Sequence, residues 1–196
     1  MKINKTYNDA KIKLEMQNYF LENAFISLAS FCDSNLDELK NSILNSSKIE
    51  NYRPLEFRRC EIKLNDCFDL KILEFLEYFK SIEFLEYVES ITDLDLKFKS
   101  IELNIYSHKD FIILSDKQEK SECLNVIFDI SDDWNKACGG VLTYTTKEEE
   151  VFYVEPSFNS LTILYKPKEV MKYLKYINNK CENKKIIRFE MEFEIN

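Results

Sequence analysis

IIRFEMEFEI, residues 186–195, carries the clearest strand pattern in the chain. Apolar and charged side chains alternate with a period of two, which places them on opposite faces of a β-strand. The apolar face comprises Ile187, Phe189, Met191, Phe193 and Ile195. The charged face comprises Arg188, Glu190, Glu192 and Glu194. We expect the apolar face to be buried, whereas Arg188 either pairs with the glutamates in solvent or enters a pocket.

The same period of two recurs upstream of this strand. After Thr92 the hydrophobic period changes from that of a helix to that of a strand. Further strands are predicted at 94–98, 101–105, 123–130, 151–154 and 160–165, with a register break near Ser100. The segment 169–177 is the exception, since the spacing of its apolar residues predicts a helix.

The amino-terminal part is predicted to be mainly helical. Residues 1–13 are polar and predicted to fray, and the apolar run 14–32 fits either a helix or a strand. Ser34 and Asp37 have the spacing of a capping box and predict a helix start. Its buried face is predicted to comprise Leu36, Leu39, Ile43 and Leu44. Residues 45–54 are predicted to be a linker.

Two more helices are predicted before the strands begin. Asp66 can cap the first, whose apolar set is Leu70, Leu73, Phe75, Leu76 and Phe79. SIEFLEYVESI, residues 81–91, predicts the second. Helices followed by many strands predict an α+β fold, a β-sandwich or jelly roll braced by helices.

Composition restricts the classes of partner. The 196 residues carry a net charge of −8, which argues against non-specific binding to nucleic acid or to an anionic membrane. No secretory signal and no apolar run of membrane-spanning length is visible, and we expect a cytoplasmic protein with reduced thiols. None of the six cysteines forms a C-x-x-C pair. Gly139 and Gly140 are the only glycines and predict a turn that enters a strand.

From about Ser81 onward, the order of motifs resembles the prolyl-4-hydroxylase-like branch of the 2-oxoglutarate/iron(II) oxygenases. The matching segments are SIEFLEYVESIT (81–92), ELNIYSHKDFIILSD (102–116), LNVIFDISDDWNKACGGVLTYTT (124–146), EPSFNSLTILY (155–165) and RFEMEFEI (188–195). The resemblance implies a double-stranded β-helix. We therefore expect a single domain, 1–196, with a mainly helical part at 1–92 and the double-stranded β-helix core at 93–196.

The resemblance also implies that the usual metal site is missing. The family holds iron with two histidines and a carboxylate, but this chain has one histidine. The family's first two ligand positions fall on Ser115 and Lys117. The distal histidine falls near 168–172, with Lys172 or Met171 in its place. Either lysine could place an ammonium group where iron would sit, or face solvent. By contrast, Arg188 and Tyr106 match the pair that binds the 2-oxoglutarate carboxylate.

A second hypothesis keeps a metal with unusual ligands. His108 and Asp110 form an H-x-D string, and Asp116 lies nearby, but a surface histidine near a loop is the preferred interpretation of His108.

We therefore expect a pseudo-oxygenase, a non-catalytic binding or regulatory module that needs no cofactor. Its expected partner is a protein, a peptide or a small dicarboxylate. The alternative is a divergent hydroxylase that uses iron(II) and 2-oxoglutarate, and a structural jelly roll without a pocket is the third possibility.

Overall fold

The computed structural model describes residues 1–53, 56–62, 69–114, 121–146 and 149–196. Asp66, Ser115, Asp116 and Lys117, which the sequence predictions use, lie outside the described residues. Within these ranges the helices are α1 (Ala10–Asn23), α2 (Leu36–Asn45), α3 (Leu70–Phe79) and α4 (Ile82–Thr92), with short 3-10 turns at Lys5–Asn8, Lys136–Cys138 and Asn179–Cys181.

Eleven strands form one antiparallel sheet. They are β1 (Phe25–Ala29), β2 (Ile49–Arg53), β3 (Phe57–Ile62), β4 (Leu96–Tyr106), β5 (Phe111–Ile112), β6 (Cys123–Ile130), β7 (Leu142–Thr145), β8 (Glu150–Val154), β9 (Phe158–Lys166), β10 (Met171–Leu174) and β11 (Ile186–Ile195). Their order is β1-β9-β6-β11-β4-β3-β5-β10-β7-β8, and β2 pairs with β3.

The sheet curls into a nearly closed barrel. Its two end strands, β1 and β8, approach each other through Phe25 and Phe152, whose rings stack with centroids 5.6 Å apart. The helices cover one face of the sheet, and the other face surrounds the barrel interior. The structure thus confirms the predicted α+β class with an antiparallel barrel core.

The helices pack against β11 and its neighbours through aromatic side chains. Phe189 lies 5.4 Å from Phe79 and 6.4 Å from Phe75, measured between ring centroids. Phe189, Met191 and Phe193 are buried as predicted. The apolar face of β11 therefore joins the helices in the larger hydrophobic core, whereas Ile186 and Tyr106 belong to a smaller core inside the barrel.

Helix starts follow local capping chemistry. The carboxylate of Asp69 accepts hydrogen bonds from the amides of Lys71 and Ile72 at the start of α3. Ser81 caps α4 in the same manner. The cap predicted at Ser34 is wrong by one residue, because α2 follows Asn35 as N-cap. The predicted buried face of α2 is confirmed at Leu36, Leu39 and Ile43, and Leu44 is partly buried.

Three other predictions from the sequence are wrong. Residues 1–13 do not fray, since Ile3 is buried and bridges to Cys32, and Asp9 caps α1. The predicted linker at 45–54 contains β2, which gains a ladder with β3. The predicted helix at 169–177 is instead the strand β10, which pairs with β7 and β5. Short apolar runs fit both periods, and pairing with neighbouring strands decided this segment.

Two local irregularities agree with the sequence. A β-bulge lies between β4 and β11, where Glu192 pairs with Ser100 but Phe193 pairs with Phe98, so the predicted register break is confirmed. Gly139 has a φ of 82°, and a Cβ there would lie 2.1 Å from the carbonyl oxygen of Tyr176. Only glycine fits this turn before β7.

Within the described ranges, no helix is long and apolar enough to span a membrane. The described cysteines, Cys32, Cys60, Cys123, Cys138 and Cys181, are free thiols.

Candidate functional site

The second face of β11 points into the barrel rather than into solvent. Arg188 is fully buried, and its Nη2 donates to the carbonyl of Val154 on β8, 3.2 Å away. Because β8 is far from β11 in the sheet order, this side chain spans the barrel interior. Glu190 lies on the same face and is also buried. Arg188 therefore does not pair with the glutamates in solvent, which was one of its two predicted environments, but lies in the interior.

The Arg188 guanidinium is paired with a carboxylate of the chain itself. Its Nε donates to Oδ2 of Asp129 at 2.7 Å. Asp129 lies directly across the ladder on β6. The other oxygen, Oδ1, accepts hydrogen bonds from the amide of Ser131 at 2.8 Å and from its hydroxyl. Three donors therefore hold this buried carboxylate, which is the condition under which a buried charge pair is tolerated.

Charge and burial act in opposite directions on this pair. Burial raises the pKa of Asp129 above its ordinary value, although the guanidinium opposes that shift. Burial alone would lower the pKa of Arg188, but the Asp129 charge outweighs it and raises that pKa. Arg188 therefore stays cationic at every accessible pH.

Glu190 is the centre of a second buried network. Its Oε1 accepts from the Tyr106 hydroxyl at 2.6 Å and from the Asn104 amide at 3.1 Å. Its Oε2 pairs with the ammonium of Lys172 at 3.0 Å. Lys172 reaches this position because β10 is a strand and not a helix. Arg59 lies close enough for its charge to act on Glu190, and its Nη1 donates to Glu102 at 2.9 Å.

The network keeps Glu190 ionised. Burial alone would raise the pKa of Glu190, but the Lys172 charge and the Tyr106 hydrogen bond outweigh it and lower that pKa to about 2. Burial and the Glu190 charge together raise the pKa of Tyr106. Tyr106 is therefore a neutral donor to its own neighbour Glu190.

A few buried polar atoms in the interior have no partner among the described residues. They are Nη1 of Arg188, the hydroxyl of Tyr144 and Oδ1 of Asn104. Tyr144 is opposite Lys172 in the β7–β10 ladder, so its ring lies on the inward face. These atoms give the interior a small residual capacity for polar contacts.

His108 and Asp110 lie outside this interior, in the turn between β4 and β5. The Asp110 carboxylate accepts from the amide of Ser107 at 2.7 Å and from its hydroxyl at 3.2 Å. Its other oxygen lies 3.6 Å from Nε of Arg58. Asp110 therefore closes the turn, and His108 is partly buried beside it.

The donor set of the described residues does not fit the iron centre of the oxygenase fold. The sequence has one imidazole, Asp110 is committed to Ser107 and Arg58, and Lys172 places an ammonium group beside Glu190. No group of three histidine, cysteine or acidic side chains in the described ranges could hold a metal ion. For a carboxylate of 2-oxoglutarate, Arg188 offers only Nη1, since its Nε is paired with Asp129 and its Nη2 donates to the carbonyl of Val154.

The interior network includes Arg188, Tyr106 and Lys172, which the sequence singles out, together with Asp129 and Glu190, which it does not. The alternation of β11 leaves Glu190 open to solvent or interior, and the pattern of 123–130 predicts a strand without a role for Asp129. A signal was present: Asp129 is the one charged residue in the mostly apolar run 123–130, and buried charges need a partner. Arg188, on the predicted strand 186–195, was a cation that could pair with Asp129.

Structural comparison finds the same fold in solved oxygenases. The chain is similar to a Trichoplax adhaerens prolyl hydroxylase solved with a hypoxia-inducible-factor peptide, with a TM-score of 0.65, 13% identity, and coverage of 93% of this chain and 89% of that one. It is also similar to a Pseudomonas putida prolyl-4-hydroxylase, with a TM-score of 0.64, 12% identity, and coverage of 94% and 100%. At these identities the likeness shows the fold, which is the predicted double-stranded β-helix.

Sequence comparison gives one short match and one long one. Prolyl 3-hydroxylase OGFOD1 of Xenopus laevis is 40% identical over 55 residues, which is 27% of this chain and 11% of that protein. The family model described as oxoglutarate and iron-dependent oxygenase degradation C-term matches residues 55–196. Because that match includes well over half of the chain and the whole barrel from β4 onward, the protein belongs to this oxygenase-related family.

Proposed function

We propose that this chain is a non-catalytic member of the oxygenase fold that acts as a binding or regulatory module for a protein or peptide. The observation that supports it most directly is the state of the barrel interior. Arg188 is paired with Asp129, and Lys172 is paired with Glu190. Arg188 and Lys172 are therefore engaged by carboxylates of the chain itself, which supports a role that does not depend on an anionic cosubstrate.

The peptide part of the proposal draws on the fold. The Trichoplax relative of similar fold was solved with a peptide fragment. Because ion pairs fill the barrel interior, binding of a protein or peptide would take place on the outer surface of the barrel. We place no catalytic residue in this chain.

Metal loading with a turnover assay tests the proposal. The protein is titrated anaerobically with manganese(II), a redox-inert substitute for iron(II), and 2-oxoglutarate-dependent succinate formation is measured after iron(II) loading. We expect no stoichiometric tight site and no succinate above a protein-free control. Stoichiometric binding that disappears in His108→Ala would instead support the divergent hydroxylase, with His108, Asp110 and Asp116 near the metal.

A small dicarboxylate is the second candidate ligand, and one observation favours it. Nη1 of Arg188 and the Tyr144 hydroxyl are buried and have no partner among the described residues. Calorimetry with succinate and with 2-oxoglutarate tests this candidate. Binding that is weakened in Arg188→Lys, which keeps the charge but loses the planar fork, would support it. Absence of heat in both titrations would leave the macromolecular partner.

A further inference from the structure

A groove of about 480 Å³ lies at the end of the barrel where β6 ends and β9 begins. Its walls come from α2, from the segment that follows β6, and from the turn between β8 and β9. The lining residues are Asp37, Lys40, Ser131, Asp132, Asp133, Trp134, Pro156, Ser157 and Phe158. The groove opens outside the barrel interior and meets the interior ion pairs at Ser131, which hydrogen-bonds to Asp129.

Two aromatic side chains form its apolar surface. Phe158 is 46% exposed, which is unusual for a phenylalanine in a sheet. Trp134 is partly buried and fixed, because its Nε1 donates to the carbonyl of Gly139 at 2.8 Å. A rigid and partly exposed aromatic pair is a common anchor for a partner side chain.

The backbone that presents Phe158 is held firmly. The next residue, Asn159, has a φ of 55°, a conformation that needs support in a residue other than glycine. Its amide side chain exchanges two hydrogen bonds of 2.9 Å with the backbone of Cys32. The exposure of Phe158 is therefore built into the turn rather than left to a mobile loop.

The charge of the groove is mainly negative. Its acidic residues are Asp37, Asp132 and Asp133, and Lys40 is the one cation among the lining residues. Lys40 contacts Oδ1 of Asp132 and lies 5.9 Å from the centroid of the Phe158 ring. No described residue pairs with the carboxylates of Asp37 and Asp133. Lys40 thus shows how an ammonium group fits beside a carboxylate and this ring. Lys184 also lies at this end, but its Nζ donates to the backbone carbonyl of Asp133 at 2.7 Å and leaves the carboxylates of Asp37 and Asp133 for another cation.

The buried Arg188–Asp129 pair contacts the backbone on both sides of the groove. Asp129 binds the amide and the hydroxyl of Ser131, which forms the floor. On the opposite side, Arg188 binds the carbonyl of Val154, two residues before Pro156. Arg188 and Asp129 therefore connect the two segments on either side of the groove to the buried interior.

We propose that this groove binds an extended segment of a partner protein through an arginine or lysine side chain. The cation of that segment lies against Asp37 and Asp133, and its stem packs on Trp134 and Phe158. This inference rests on the proposed binding role and names the surface and the partner chemistry. The metal and turnover assays do not involve the groove, so the two proposals fail independently.

Trp134 is the only tryptophan of the chain, so its fluorescence reports on the groove alone. The full chain is titrated with a capped hexapeptide of alternating glycine and arginine, and with the matching glycine–glutamate peptide. We expect a saturable change with the arginine peptide only, weakened by added salt. No saturable change, or an equal response to the glutamate peptide, would overturn the proposal.

Charge variants assign the binding to the groove. The double variant Asp37→Asn/Asp133→Asn should weaken binding about fivefold, since two exposed charge contacts are lost. The control Glu83→Gln/Glu86→Gln removes the same charge from the exposed face of α4 and should change binding by less than about twofold. Equal weakening in both variants would show a general charge effect and would contradict the proposal.

Lys40→Gln gives a test of opposite sign. Removing the resident ammonium frees Asp132 and the Phe158 ring, so the arginine peptide should bind more tightly than it does to the unmodified chain. Circular dichroism shows whether the variant is folded. Weaker binding by a folded Lys40→Gln protein would contradict the proposed cation site.

Discussion

The two faces of β11 are both buried, yet one is apolar and the other is ionic. Phe189 and Phe193 pack against helices, where the loss of apolar surface from water is the stabilising effect. Arg188 and Glu190 face the barrel interior, where each needs an opposite charge and full hydrogen bonding. A charged face of a strand can therefore be buried and need not be exposed to solvent.

The largest expected effect comes from breaking the Arg188–Asp129 pair. Asp129→Ala leaves an unpaired buried guanidinium, which should cost about 3–5 kcal/mol in the free energy of unfolding. Urea denaturation at neutral pH measures this cost. The double replacement Asp129→Leu/Arg188→Met should recover most of it, because it removes both charges. Unchanged stability of Asp129→Ala would mean that the charged face of β11 is less buried than its apolar face.

The apolar face should respond with a similar magnitude but for a different reason. Phe193→Ala removes a fully buried ring and should cost about 3–5 kcal/mol through lost burial and a cavity. Phe158→Ala is the matched control, since that ring is half-exposed, and its cost should be clearly smaller. A near-neutral Phe193→Ala would place the strand end at an exposed edge and contradict the packing described above.

Acid should affect the ionic face selectively. The pKa of Glu190 is about 2 in the folded chain and about 4.5 in the unfolded chain. The ionised group therefore stabilises the fold above about pH 4.5, and this stabilisation is lost as the pH falls from there toward 2. It amounts to about 3 kcal/mol. The difference in stability between the unmodified chain and Glu190→Gln should shrink over this range, whereas a constant difference would exclude the lowered pKa.

The smallest effect is expected at the open end of the ionic face. Glu192 pairs with Lys99 at 2.8 Å, and both side chains are 27% exposed. Lys99→Ala should therefore cost only about 0.2–1 kcal/mol, measured by urea denaturation. Together with Asp129→Ala, it tests whether the cost falls as the ion pairs approach solvent. A loss of stability as large as that of Asp129→Ala would mean that burial does not determine how much each ion pair contributes to the free energy of unfolding.

Several features could be predicted because they depend on local pattern. The strand at 186–195, the helix after Ser81 and the bulge near Ser100 each follow from spacing within a few residues. The segment 169–177 could not be assigned, because its apolar spacing suits a helix and only the ladders with β7 and β5 make it a strand. For the same reason, the sequence did not predict that Lys172 pairs with Glu190.

The candidate site was predictable in its residues but not in its pairing. One histidine in the sequence suffices to show that this chain by itself cannot supply a two-histidine iron centre. The placement of Ser115 and Lys117 stays a prediction, since both lie outside the described residues. The partners of Arg188 and Lys172 depend on which strands become neighbours.

By itself, the sequence determined the alternation of β11, the helices that cover it and the lack of a second imidazole, since these follow from residue order alone. Only the tertiary structure decided that the charged face of β11 lies inside, because closure of the barrel brings β6, β8 and β10 around it. Closure removes water from both faces of a strand. The charges on the inner face must then be satisfied by partners that are distant in the chain, such as Asp129 for Arg188 and Lys172 for Glu190.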